Sequence, residues 1–89
     1  MARSVAESSA VIKLTRSDPS KNMHRFYALQ LAPTLFGEWI LIAEWGRIGS
    51  PGAVRQKVFQ SVDLAKAALA RRQAVKIGWG YRQLPQSSA

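Results

Sequence analysis

Apolar and polar residues alternate with period two as far as Gln60, and from Ser61 onward the spacing becomes helical. From Ala10 to Arg16, Ile12 and Leu14 fall on one face while Val11, Lys13 and Thr15 fall on the other, which predicts a short strand at a sheet edge. Ser17 to Asn22 reads as a turn, because the residue before Pro19 is biased away from helix. A second strand follows over Met23 to Leu31, with Tyr27, Leu29 and Leu31 on one side and Phe26, Ala28 and Gln30 on the other. Pro33 and Gly37 bracket a loop, and Glu38 to Trp45 forms a third strand. Its face of Trp39, Leu41, Ala43 and Trp45 opposes Ile40 and Ile42, so a central strand covered at least in part on both sides is expected. In the fourth strand, Ala53 to Gln60, Val54 and Val58 alternate with Arg55, Lys57 and Phe59. One face is therefore basic with an aromatic at its end, and Lys and Arg suit an edge strand because they discourage pairing with other chains.

Ser61 is a suitable N-cap, and Asp63 places negative charge in the first turn, where the helix dipole favours it. Val62 to Ile77 contains no glycine or proline, and Leu64, Ala65, Ala68, Leu69 and Val75 gather on one side of the predicted helix. Arg72 lies within that arc and must snorkel its charge outward or find a partner. Lys66, Arg71 and Lys76 lie toward the exterior or its flanks. Gly78 is placed to end the helix as the C′ residue. Trp79-Gly80-Tyr81-Arg82 then turns back into a last short strand. Trp39 and Trp79 read as packing residues of the core and of the helix terminus. The sum is α+β: an antiparallel sheet of about four to five strands with one helix across one face.

The chain has 89 residues, enough for one domain, assigned to residues 10–84 between disordered tails at 1–9 and 85–89. Thirteen Lys and Arg against five Asp and Glu give a net charge of +8. The pI near 11.0 is well above the level of about 9 that marks nucleic-acid-binding domains. The basic residues run from Arg3 to Arg82, so only folding can gather them on one surface. The absence of cysteine excludes disulfides and thiolate metal sites and suits a reducing cytoplasm, the expected location. No signal-peptide core and no membrane-length apolar run is present, so no membrane partner is expected. The acids show no paired spacing for acid–base work, no thiol nucleophile exists and no P-loop appears. A non-enzymatic protein without cofactor follows. His24 has no partner at metal-ligand spacing and reads as a surface strand residue.

The candidate site is Trp45-Gly46-Arg47-Ile48-Gly49, a glycine-rich corner at the end of the third strand that opens into Ser50-Pro51-Gly52. Glycines there allow Trp45 and Arg47 to turn outward together, and the amides could form an anion-binding concavity. Trp45 either stacks on a ligand or seals one end of the core. Arg47 carries a fork suited to phosphate. Arg55 and Lys57 share a strand face and either grip successive phosphates or form a solvated edge. Lys76 and Arg82, near the closing turn, complete the set.

Trp45-Gly46-Arg47-Ile48-Gly49 resembles the signature of the WGR domain family. The likeness extends to the strand from Arg25 to Leu31, to Phe59, Ser61 and the alanine-rich helix, and to Lys76 with Gly80-Tyr81. The resemblance implies the same antiparallel sheet with one helix, here as a free-standing module similar to those found in bacterial proteins. It also implies DNA as the partner, duplex with ends or nicks, since WGR domains of poly(ADP-ribose) polymerases bind at strand breaks. In them the motif tryptophan packs on the sugar-phosphate backbone and the arginine contacts DNA and a neighbouring domain. By resemblance those roles fall on Trp45 and Arg47, with Gly46 between them. The alternative is a protein partner, with the corner docking on a separate regulator or enzyme.

Overall fold

A computed structural model describes residues 11–85, so the expected tails lie mostly outside the described residues. Five antiparallel strands form one sheet: β1 (Val11–Asp18), β2 (Met23–Pro33), β3 (Trp39–Arg47), β4 (Ala53–Phe59) and β5 (Arg82–Gln83). Their order is β4-β3-β2-β1-β5, and one helix, α1 (Val62–Gly78), lies between β4 and β5 in sequence. The expected α+β architecture is the one observed.

β1 is not an edge strand. Leu14 and Thr15 pair with Gln83 and Arg82, and the Leu84 amide donates to the Lys13 carbonyl at 2.8 Å. The periodicity of β1 carries no information about a partner so far along the chain. β4 does lie at an edge, as its cations suggest.

Helix α1 covers the sheet face that carries Leu14, Tyr27, Leu29, Leu31, Leu41 and Ala43, all buried. The small Ala65 and Ala68 of α1 complete this core and let the helix approach closely. Leu64 and Val75 do not join it; both are about half-exposed, at 55% and 50%. The contact stripe runs through positions 65, 68, 69, 72 and 76, so residues 64 and 75 fall on its flank. On the opposite sheet face, among the described residues, the loop at Gly52 packs against Gly46 and Phe26 but no second layer of secondary structure is present, so the cover expected for β3 on that side is only partial. Ile40 and Ile42 are half-buried there.

The helix ends two residues later than the glycine pattern predicts. Gly80, not Gly78, adopts the left-handed conformation, with φ of +100°. The Gly80 amide donates to the Ile77 carbonyl and the Tyr81 amide to the Lys76 carbonyl, both at 3.0 Å, which is a Schellman motif. That motif drives Tyr81 into the core beneath Lys76. At the other terminus the Ser61 hydroxyl accepts from the Leu64 amide at 3.2 Å, the expected cap.

Candidate nucleic-acid interface

The Trp-Gly-Arg stretch is the end of β3, not a corner beyond it. Trp45 and Arg47 share a face because they are two residues apart on a strand. The turn follows at Ile48 to Ser50, with Gly49 at φ +88°. The Ile48 amide donates to the His24 carbonyl at 2.8 Å and the Ser50 amide to the Arg47 carbonyl at 3.0 Å. Two amides of the expected anion concavity are thus already committed. Gly46 serves packing: a methyl group on it would stand 3.0 Å from Gly52 Cα and 3.4 Å from the Phe26 ring. The loop crosses β3 there.

Trp45 is half-buried, packs on the core and stacks on Tyr27, with ring centroids 6.0 Å apart and planes at 30°. Of the two readings of Trp45, the packing role is visible in the fold. Arg47 is exposed. Its guanidinium reaches Asn22, donating to the backbone carbonyl at 3.3 Å and to Oδ1 at 3.4 Å. Asn22, itself left-handed, closes the 3-10 turn Pro19–Lys21 between β1 and β2. Arg47 is therefore held at the sheet end with both terminal nitrogens of its fork donating to Asn22.

Sheet register adds two arginines that sequence patterning did not single out. Arg16 pairs with Arg25, and Arg25 pairs with Arg47. Directly paired residues share a face, so the three guanidiniums start from one row across β1, β2 and β3. The next row toward the helix is Leu14, Tyr27 and Trp45. Cations and aromatics thus alternate by row.

Past this row, α1 and β4 diverge to leave a groove of about 400 Å³. Arg55 and Lys57 line one wall; Arg71, Arg72 and Lys76 line the other. No carboxylate lines it. Arg55 and Lys57 face the helix because they pair with Ala43 and Leu41 of the core face. Arg72, expected to snorkel, donates through Nη1 to the Tyr27 hydroxyl at 3.2 Å. Lys76 Nζ sits 4.2 Å from the Trp79 ring centroid, 4.6 Å from Tyr27 and 5.8 Å from Tyr81. Desolvation, and then the Arg72 charge, hold its pKa below the ordinary lysine value. The ring faces act the other way, attracting the charged form. Trp79 is not buried at the helix end as expected. It is 60% exposed and lies on Lys76, because the Schellman turn sends Tyr81 inward instead.

The structure brings Trp45 and Arg47 together at one sheet end and Arg55, Lys57 and Lys76 together in the groove, all on the helix side, while Gly46 between the first two faces the opposite side toward Phe26 and Gly52. It places Arg82 apart. Arg82 pairs with Thr15 and shares its face, away from the helix. Arg71 and Arg72 are groove residues that the helical wheel did not assign to a site. Only the position of β4 beside the helix reveals them.

The helix side of this α+β domain thus carries a groove lined by five cations and no carboxylate, with Tyr27, Phe59 and Trp79 among its lining residues. The family model of the WGR domain matches residues 11–88, nearly the whole chain, and this protein belongs to that family. The WGR domain is a non-catalytic fold, and membership supports a module of the nucleic-acid-binding type in general. An uncharacterised protein of Sinorhizobium fredii, y4dW, is 54% identical over 37 residues, a stretch that is 42% of this chain and 18% of the relative. The match therefore spans less than a fifth of that protein. No solved structure matches significantly.

Proposed function

We propose that this WGR domain binds duplex DNA through its sugar-phosphate backbone, with preference for ends or nicks, and acts by binding alone. The observation that carries the reading is the groove between α1 and β4. Five cations line it with no carboxylate among them, and it opens beside the aromatic row that ends at Trp45. A phosphate chain entering it meets guanidinium forks and ammonium groups at strand and helix spacing. Exposed Trp79 and the accessible part of Trp45 offer flat faces to a sugar or an unstacked terminal base. Arg16, Arg25 and Arg47 extend the same tract at the sheet end. Base-edge reading has no evident element among the described residues, which hold one helix packed on the sheet and no second helix or protruding ribbon. That leaves shape or end recognition as the mode of reading. No helix among the described residues is long and apolar enough to cross a membrane. We place the protein in the cytoplasm, with its DNA.

Titration against intact circular, nicked and blunt-ended duplexes of equal length tests this. Nicked or blunt DNA should bind most tightly, and Arg47→Ala should weaken that preference while leaving the fold intact. Equal affinity for all three forms, unaffected by Arg47→Ala, would contradict end recognition.

A further inference from the structure

The groove between α1 and β4 combines two chemistries. Its walls carry five cations, but its floor is apolar: Leu41, Ala43 and Ala68 are buried there beside the Tyr27 ring. Phe59, at the end of β4, and Trp79, just past the end of α1, add two more rings to the lining. Each of these rings has a cation on it, with Lys57 Nζ 5.5 Å from the Phe59 centroid and Lys76 Nζ 4.2 Å from that of Trp79. Trp79 nevertheless stays 60% exposed, so ring surface is left for a ligand. Arg72 and Lys76 are held in advance, the first by its hydrogen bond to the Tyr27 hydroxyl and the second among three rings. Little order remains to be imposed on that wall when a ligand enters.

A paired duplex uses only half of this. It can lay phosphates on the rims, but its bases are stacked between two backbones. A groove of about 400 Å³, the size of a small-ligand pocket, does not admit both strands to its floor. An unpaired strand satisfies walls and floor together, because each nucleotide joins one phosphate to one flat base. Arg55 and Lys57 are two residues apart on β4, about 6.5 Å, which is comparable to the step between phosphates of an extended strand. We propose that the groove receives unpaired nucleotides at a DNA end, with phosphates on Arg55, Lys57 and Arg71 and a base against Trp79. The inference rests on the backbone-binding reading above and adds a ligand class to it: an end with a single-stranded tail is preferred to a blunt one. Trp79 is then the residue that tells tail from duplex.

Fluorescence anisotropy with three duplexes tests the proposal: one blunt, one with a short thymidine tail, and one whose tail has the same length but consists of abasic residues. The two tails carry equal numbers of phosphates, so a difference between them reports the bases. The thymidine tail should bind about tenfold more tightly than the abasic tail, and the abasic tail little better than the blunt end. Trp79→Ala should abolish the difference between the tails, whereas Trp79→Phe should retain most of it. The position is exposed, and circular dichroism should show both variants folded. A thymidine tail bound no better than an abasic one, or a difference that survives in folded Trp79→Ala, would overturn the proposal. So would displacement of the tailed duplex by a glutamate–tyrosine copolymer as readily as by single-stranded oligothymidine, which would assign the groove to an acidic peptide. Failure of the end-binding reading shows separately, as blunt DNA bound no better than intact circular DNA whatever the tails do.

Discussion

Gly52 stands where no side chain fits. A methyl group there would lie 2.5 Å from the Trp45 carbonyl oxygen and 2.9 Å from the Phe26 ring, and backbone cannot move aside as a flexible side chain can. Gly52→Ala should therefore cost about 2 kcal/mol or more in urea unfolding, within the range of overpacking substitutions. Gly37 has a different reason to be glycine: its φ is +84° but nothing lies within 4 Å, so Gly37→Ala should cost only about 1 kcal/mol. Lys76 is the residue whose charge state is coupled to the fold. Burial and Arg72 lower its pKa in the folded protein, so the charged form is disfavoured there relative to the unfolded chain. That penalty is fully present well below the folded pKa and disappears as pH rises to the unfolded value of 10.5. Thermal stability of the wild type, measured against Lys76→Met, should accordingly gain as pH rises into the upper part of that range. A difference that stays flat or falls would mean that the aromatic rings outweigh desolvation.

At the level of elements, α1 sets the groove by where it starts and where it stops. Ser61→Ala removes the N-terminal cap and should cost about 1 kcal/mol. At the other end, Gly80→Ala should destabilise by about 1 kcal/mol, since φ is +100° and Arg16 lies 3.3 Å from the added methyl. Gly78→Ala should instead stabilise by roughly the same amount, because Gly78 is helical with open space around it. Chemical denaturation of the two variants distinguishes the observed terminus from the one the sequence suggests, where Gly78 would be the costly position. Strand existence and face were legible in the sequence because half-buried strands enforce alternation. The pairing of β5 with β1 was not, since a two-residue strand leaves no period. Trp79 was misread for a related reason. A tryptophan at a helix end looks like core until the Schellman geometry shows that Tyr81 takes the inward position.

Across the whole molecule, charge is segregated by face more sharply than chain order suggests. Arg55 and Lys57 could be read as a basic strand face, but that this face opposes Arg71 and Arg72 depends on β4 and α1 lying side by side. The arginine row is equally invisible before register, because its members are nine and twenty-two residues apart along the chain. Trp45-Gly46-Arg47 was the most legible feature, and its geometry is strand rather than corner. The Gly46 and Gly52 contacts explain why glycine recurs there without any outward turn. Arg82, close to Lys76 in sequence, ends on the other face, where Lys13 also lies.

The salt dependence of DNA binding, measured for three proteins, tests the central claim most directly. Wild type closing on about four to six phosphates should give a slope of log affinity against log salt near −4 to −5. A variant lacking three groove cations (Arg55→Ala, Lys57→Ala, Arg71→Ala) should lose nearly three from the magnitude of that slope, at about 0.9 per phosphate contact. A variant of the opposite face (Lys13→Ala, Arg82→Ala) should keep the wild-type slope. Equal losses per charge in both variants, or none in the first, would contradict a helix-side interface and leave only a diffuse attraction of a basic protein to DNA.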